Sequence, residues 1–304
     1  MLAEFWRLLR AAFDGWWADR AMSLGASIAY FTIFSLAPML LAAVAVAGLV
    51  FGREAAQGAI VAELGGLLGK ESAAAIEAMI QSASNIGSGV VGTVVGVATF
   101  LLVATGAIVE LQDDLNLIWK VKPSAGSGVM SFVRTRVLSL ALVVGIGFLL
   151  LVSLILDAGL TALGSWLEAG FSGAAVILTI LNNLVGFGVA ALLFAMIFKV
   201  LPDVDLAWRD VRTGALMTSA LFTIGKFLIG FYLGSSNLTT TYGAAASIIT
   251  ILLWIYYSSL ILLFGAEFTQ TWAERRGEGL EPEPGAVRVQ REKQRVGEVN
   301  PATR

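Results

Sequence analysis

Lys226 stands alone as a charge within the apolar run from Thr213 to Tyr242. A lysine deep in a membrane helix costs roughly 2.5 to 3.5 kcal/mol on insertion scales, so it needs a partner, water or a ligand. One reading makes it a fixed positive charge in a hydrated cavity, attracting a phosphate, carboxylate or other anionic headgroup. The other makes it a structural cation paired with Asp157 or with carbonyls near Pro38. Asn182 and Asn183 fall at a matching depth in the preceding run and could bind beside it or join helices by hydrogen bonds. Tyr30 and Ser35 add polar groups on the first apolar run, nearer its other end. Glu110 and Glu267 close two further runs, where a carboxylate is either an interfacial anchor or a candidate for ion coupling. Both are expected to stay hydrated. Asp113 and Asp114 are adjacent and diverge by about 100° on a helix, so they form no ready-made carboxylate pair.

The chain of 304 residues contains no histidine and no cysteine. The usual general base, the commonest metal ligand and every disulfide are therefore ruled out. No nucleophile elbow or phosphate-binding glycine loop is present. Carboxylates that could hold a hard cation are scattered along the chain. Nucleic acid would find no folded basic groove, only the cluster from Arg288 to Arg295, which suits solvent or anionic lipid better. The expectation is no enzyme, no catalytic residue, no cofactor and no metal.

The elements that must position these residues are written in hydropathy. Tyr242 to Ala266 is charge-free for 25 residues, enough helix for a hydrocarbon core of roughly 30 Å. Similar runs cover Ala21 to Gly52, Ala78 to Val109, Val137 to Leu156 and Ala169 to Phe198. With the run around Lys226 they predict six transmembrane helices and an all-α polytopic membrane protein. Mean hydropathy is +0.82, and 14% of residues are charged, against roughly a quarter in soluble proteins. Of 20 Lys and Arg, 17 lie in segments 1–20, 112–136, 199–212 and 273–304. The positive-inside bias then predicts both termini in the cytoplasm. The first apolar run is too long, and starts too late, for a cleaved signal peptide.

Three regions follow. Residues 1–20 place Leu2, Phe5, Trp6, Leu9, Phe13 and Trp16 at helical spacing, predicting an interfacial amphipathic helix or one packed under the bundle. Residues 21–272 form the transmembrane domain, with Pro38 inviting a kink and possible gating point in the first span. Within it, 53–89 predicts two short amphipathic helices against the outer face, divided near Gly69. Residues 273–304 predict a disordered cytoplasmic tail. Gly92-x-x-x-Gly96 and Gly230-x-x-x-Gly234 permit close helix packing within the chain or, alternatively, in a homo-oligomer.

Four segments together resemble the YihY/BrkB family of bacterial inner-membrane proteins. They are GASIAYFTIFSLAPML from Gly25, LQDDLNLIWKV from Leu111, LPDVDLAWRDVRTGAL from Leu201 continuing to GKFLIGFYL at Gly225, and the stretch from Tyr242 to Gln270. Lys226 takes the family's Gly-Lys position and Glu267 its Gly-Ala-Glu position; Asp114 stands where the pattern has a small residue. The resemblance implies a six-helix inner-membrane protein, a family whose members are described as virulence factors or transporters. An old ribonuclease label attached to the family finds no support in these residues. The leading expectation is movement of an anionic amphiphile among membrane lipids, with Lys226, Asn182, Asn183 and Tyr30 as substrate contacts. Pro38, Glu267 and Glu110 are the gating or ion-coupling candidates. Alternatives are a small-solute or ion transporter and a non-transporting envelope scaffold.

Overall fold

A computed structural model describes residues 2–84, 103, 105–124, 136–142, 144–149, 152–153, 155–156, 159–160, 174–235, 242–276, 281–283 and 285–288. Four described helices are long and apolar enough to cross a membrane: Ala21–Leu49, Val176–Val200, Trp208–Tyr232 and Ala246–Arg275. A shorter apolar helix, α6, covers Arg136–Leu149. The expected second span lies mostly outside the described residues, as do Gly92, Gly96, Asp157 and the chain beyond 288.

Helix α1 is Leu2–Ala18, and α2 is Ala21–Phe51. Arg20, at φ 58°, turns the chain between them. Helix α2 passes through Pro38 as one element, although the proline withdraws one backbone donor. Helix α1 packs across the last of the long helices, burying Leu8 and Ala12 against Phe268. Its other side exposes Trp6, Phe13 and Trp17. One face of α1 thus packs against the last helix and an aromatic face is left open.

Helices α3 (Arg53–Leu68) and α4 (Lys70–Ser84) form a hairpin. Glycines at 52 and 69 take φ 83° and 85°, where a side chain would be strained, and their N–H groups cap the preceding helices on Gly48 and Gly65. Helix α3 returns closely along α2: a Cβ on Gly48 would lie 3.2 Å from Arg53 Cα. Leu68, Ile76 and Ile80 then pack against Ile33, Leu36 and Leu40 of α2 and Ile251 and Trp254 of the last helix. The hairpin thus packs beside the middle of α2. Its Leu and Ile stripe finds apolar partners along the spans, which outweighs the polar surface it carries.

Helix α5 is Gly106–Ile118, α7 is Ala174–Val200, α8 is Trp208–Ser235 and α9 is Ala246–Arg275, entered by a 3₁₀ turn at Gly243–Ala245. Helices α8 and α9 meet through two matched motifs, Gly214-x-x-x-Thr218 and Gly265-x-x-x-Thr269. Any Cβ on Gly214 would overlap Thr269, and any Cβ on Gly265 would overlap Thr218. Both threonine hydroxyls donate to their own helix, to Gly214 O at 2.7 Å and Gly265 O at 2.6 Å, so each oxygen packs against the opposite glycine with its donor already satisfied. Gly230, expected to serve such a contact, has nothing within 4 Å among the described residues.

The sequence assigned everything after Trp272 to a disordered tail. Instead α9 continues to Arg275, and two short strands fold back onto the loops between helices. Val121–Pro123 (β1) pairs antiparallel with Ala286–Arg288 (β4), and Val204–Asp205 (β2) with Glu281–Pro282 (β3). Backbone groups in those loops supply the donors and acceptors that a charge-rich composition does not reveal.

Candidate functional site

Lys226 lies on α8, half-buried, with its ammonium 5.7 Å from the centre of the Phe227 ring. A cation over an aromatic face gains about 0.5 to 1 kcal/mol at exposed sites. No carboxylate pairs with it among the described residues. Directly before it, Gly225 leaves space that the Tyr257 hydroxyl of α9 occupies; any Cβ there would collide with that side chain. Tyr257 is thus a polar neighbour of the Gly-Lys pair that no spacing within α8 announces.

The other substrate candidates are not gathered around the lysine. Asn182 and Asn183 are exposed on α7, and no hydrogen bond among the described residues joins either to Lys226. Tyr30 is 60% exposed, its ring edge-on to Phe31 and Phe34. Ser35, by contrast, is buried and donates to Val103 O, tying α2 to the approach of α5.

Glu267 departs most clearly from expectation. It is 2% exposed, not hydrated. Helix α1 covers it: a Cβ on Gly15 would come within 2.6 Å of Glu267 Oε2. Its Oε1 has no hydrogen-bond partner among the described residues. Glu110 is half-buried and accepts from Ser27 Oγ of α2, so it serves as a link between helices. Pro38 is half-buried within the continuous α2.

A second polar group is assembled where α5 meets the loop between α7 and α8. Asn116 Nδ2 donates to Asp203 Oδ2 at 2.9 Å, and Asp203 N donates to Asn116 Oδ1 at 2.8 Å. Gln112 Nε2, one turn away on the same face, donates to Asp203 Oδ1 at 3.3 Å. Lys199 closes the loop from the other side, donating to Asp205 Oδ1 at 2.6 Å and Leu206 O at 2.7 Å. Asp114, on another side of α5, is 5% exposed, its Oδ2 without a hydrogen-bond partner among the described residues. Burial, then the charges of Glu110 and Asp113, raise its pKa to about 7. Gln112 and Asn116 were not singled out by sequence, and their shared partner lies 91 and 87 residues away. No group of three or more Asp or Glu that could hold a metal occurs among the described residues.

Long apolar helices, close glycine crossings and a half-buried cation define an α-helical membrane protein. The chain belongs to the family described as Virulence factor BrkB, whose model matches residues 12–290. It is 28% identical over 264 residues to a UPF0761 membrane protein of Pseudoalteromonas translucida, covering 84% of this chain and 85% of that protein. A UPF0761 membrane protein of Pseudomonas aeruginosa (strain LESB58) is 28% identical over 97% of this chain and 70% of its own length. Against a relative from Tolumonas auensis the match is 29% identical, over 60% of this chain and 58% of the relative. No solved structure matches.

Proposed function

We propose that the protein moves an anionic amphiphile, such as a phospholipid or glycolipid precursor, across the bacterial inner membrane, with Lys226 contacting the headgroup. The observation that carries this reading is the half-buried Lys226 ammonium, which faces an aromatic ring and no carboxylate among the described residues. A lysine retained at this cost without an ion-pair partner favours an anionic ligand over a structural ion pair. Asn182, Asn183 and Tyr30, exposed on the spans, are available to a substrate travelling along the lipid-facing surface. Glu267, buried beneath α1, is the candidate for coupling to a gradient. Neither catalysis nor a cofactor enters this reading.

The test is transbilayer movement of fluorescent phosphatidylglycerol in proteoliposomes, comparing wild type, Lys226→Met and empty vesicles at matched protein incorporation. Wild type should exceed empty vesicles, and the variant should fall to their rate. Equal movement by wild type and Lys226→Met would make the lysine structural. Wild type no faster than empty vesicles would remove unassisted lipid movement and turn attention to gradient-driven transport or a scaffold role.

A further inference from the structure

A groove of about 700 Å³ opens between α1 and the neighbouring parts of α8 and α9. Its walls are apolar: Trp6 and Phe13 from α1, Met217 and Leu221 from α8, and Phe264 from α9. Arg7 and Arg10 complete the lining. They stand at i and i+3, so their side chains rise from one side of α1 about 5 to 6 Å apart. Both are exposed. Arg7 Nε donates to Ala3 O at 3.3 Å, and neither arginine forms an ion pair with a carboxylate among the described residues.

The volume falls in the range of about 300 to 1,000 Å³ usual for ligand sites. The groove borders two helices of membrane-spanning length, so its natural occupant is hydrocarbon from the bilayer. Two guanidinium groups at its margin, neither in an ion pair among the described residues, add a fixed requirement for negative charge, and guanidinium matches phosphate with paired hydrogen bonds. Trp6, 69% exposed beside them, has the amphipathic ring suited to the boundary between headgroup and chain.

We infer that this groove binds an anionic phospholipid, one acyl chain lying between α1 and α8–α9 and the phosphate held by Arg7 and Arg10. The site differs from the one assigned to Lys226. Met217 and Lys226 are nine residues apart on α8, which places them on nearly opposite sides of the helix at about 100° per residue. Lipid binding here holds whether or not the protein transports anything.

The full chain in nanodiscs tests this with bromine-labelled lipids, which quench nearby tryptophan. Quenching of Trp6 is taken as the difference between wild type and Trp6→Phe, with brominated phosphatidylglycerol compared with brominated phosphatidylcholine. Wild type should prefer the anionic lipid, and Arg7→Gln/Arg10→Gln should lose that preference by roughly tenfold, as expected for charge-assisted phosphate contacts. Leu221→Trp, which fills the groove and leaves both arginines, should lower native mass-spectrometric retention of either lipid; this arm stands even if the arginine variant fails to fold. Equal quenching by the two lipids in wild type, or an unchanged preference in the arginine variant, would overturn the assignment. Displacement by soluble glycerol phosphate as effective as by the lipid would overturn the acyl-chain part. Because the readout is binding and not flux, it can fail without the transport reading failing, and the reverse.

Discussion

At the scale of single residues, the cost of burying charge separates groups that sequence treats alike. Asp113 is exposed and Asp114 buried, one position apart on α5. The Asp114 pKa is raised, chiefly by burial, from 3.8 to about 7. The folded protein therefore binds a proton more readily than the unfolded chain across that interval. Stability from this residue is greatest below pH 3.8, falls as pH rises to about 7, and is level above. Asp114→Asn should stabilise the fold at pH 8 by an amount on the order of 2 kcal/mol, seen as a higher thermal midpoint, with a much smaller effect near pH 4. An equal effect at both pH values in a scanning-fluorescence melt would show that the carboxylate is not charged in its buried position. Lys226 differs again: its charge is offset by one aromatic face, so its removal is expected to cost movement of lipid and little folding stability.

Between elements, the α8–α9 crossing depends on the absence of two Cβ atoms. Gly214 and Gly265 each face the threonine one turn along from the other glycine. Gly214→Val or Gly265→Val should destabilise by about 1 to 3 kcal/mol through overpacking, visible as a lower melting temperature in detergent. Gly230→Val, where nothing among the described residues approaches within 4 Å, should leave it unchanged. The sequence displayed all three glycines as small residues in apolar runs. It could not say which faced a helix, because an isolated helix carries no information about its partner's direction. The same applies to the α3–α4 hairpin: Gly69 marked the break between its helices, but the place of the hairpin beside α2 depended on Ile33, Leu36 and Leu40 offering it a surface.

For the whole molecule, the distribution of Lys and Arg sets the expected orientation, with both termini in the cytoplasm and six crossings. The native chain has no cysteine, so single cysteines can be added without background. Cysteines at Ala3, Ser124 and the exposed Arg275 should react with a membrane-impermeant maleimide only after cells are opened, whereas one at Gln57 should react in intact spheroplasts. Labelling of Arg275→Cys in intact spheroplasts would overturn the six-crossing arrangement. The tail adds a contact between distant parts of the chain, since β3 and β4 return to the loops after α5 and α7.

Membrane class, family and the anomaly at Lys226 were determined by sequence alone, because hydropathy and local charge are properties of a run of residues and need no partner. The helical boundaries at Gly52 and Gly69 belong to the same kind of information, since backbone conformation at glycine is local. The shelter of Glu267 beneath Gly15, the Asn116–Asp203 node, the arginine-edged groove and the strands of the tail were decided by tertiary structure. Each joins segments far apart in the chain, and a carboxylate becomes buried, paired or exposed only when another element covers it or leaves it open.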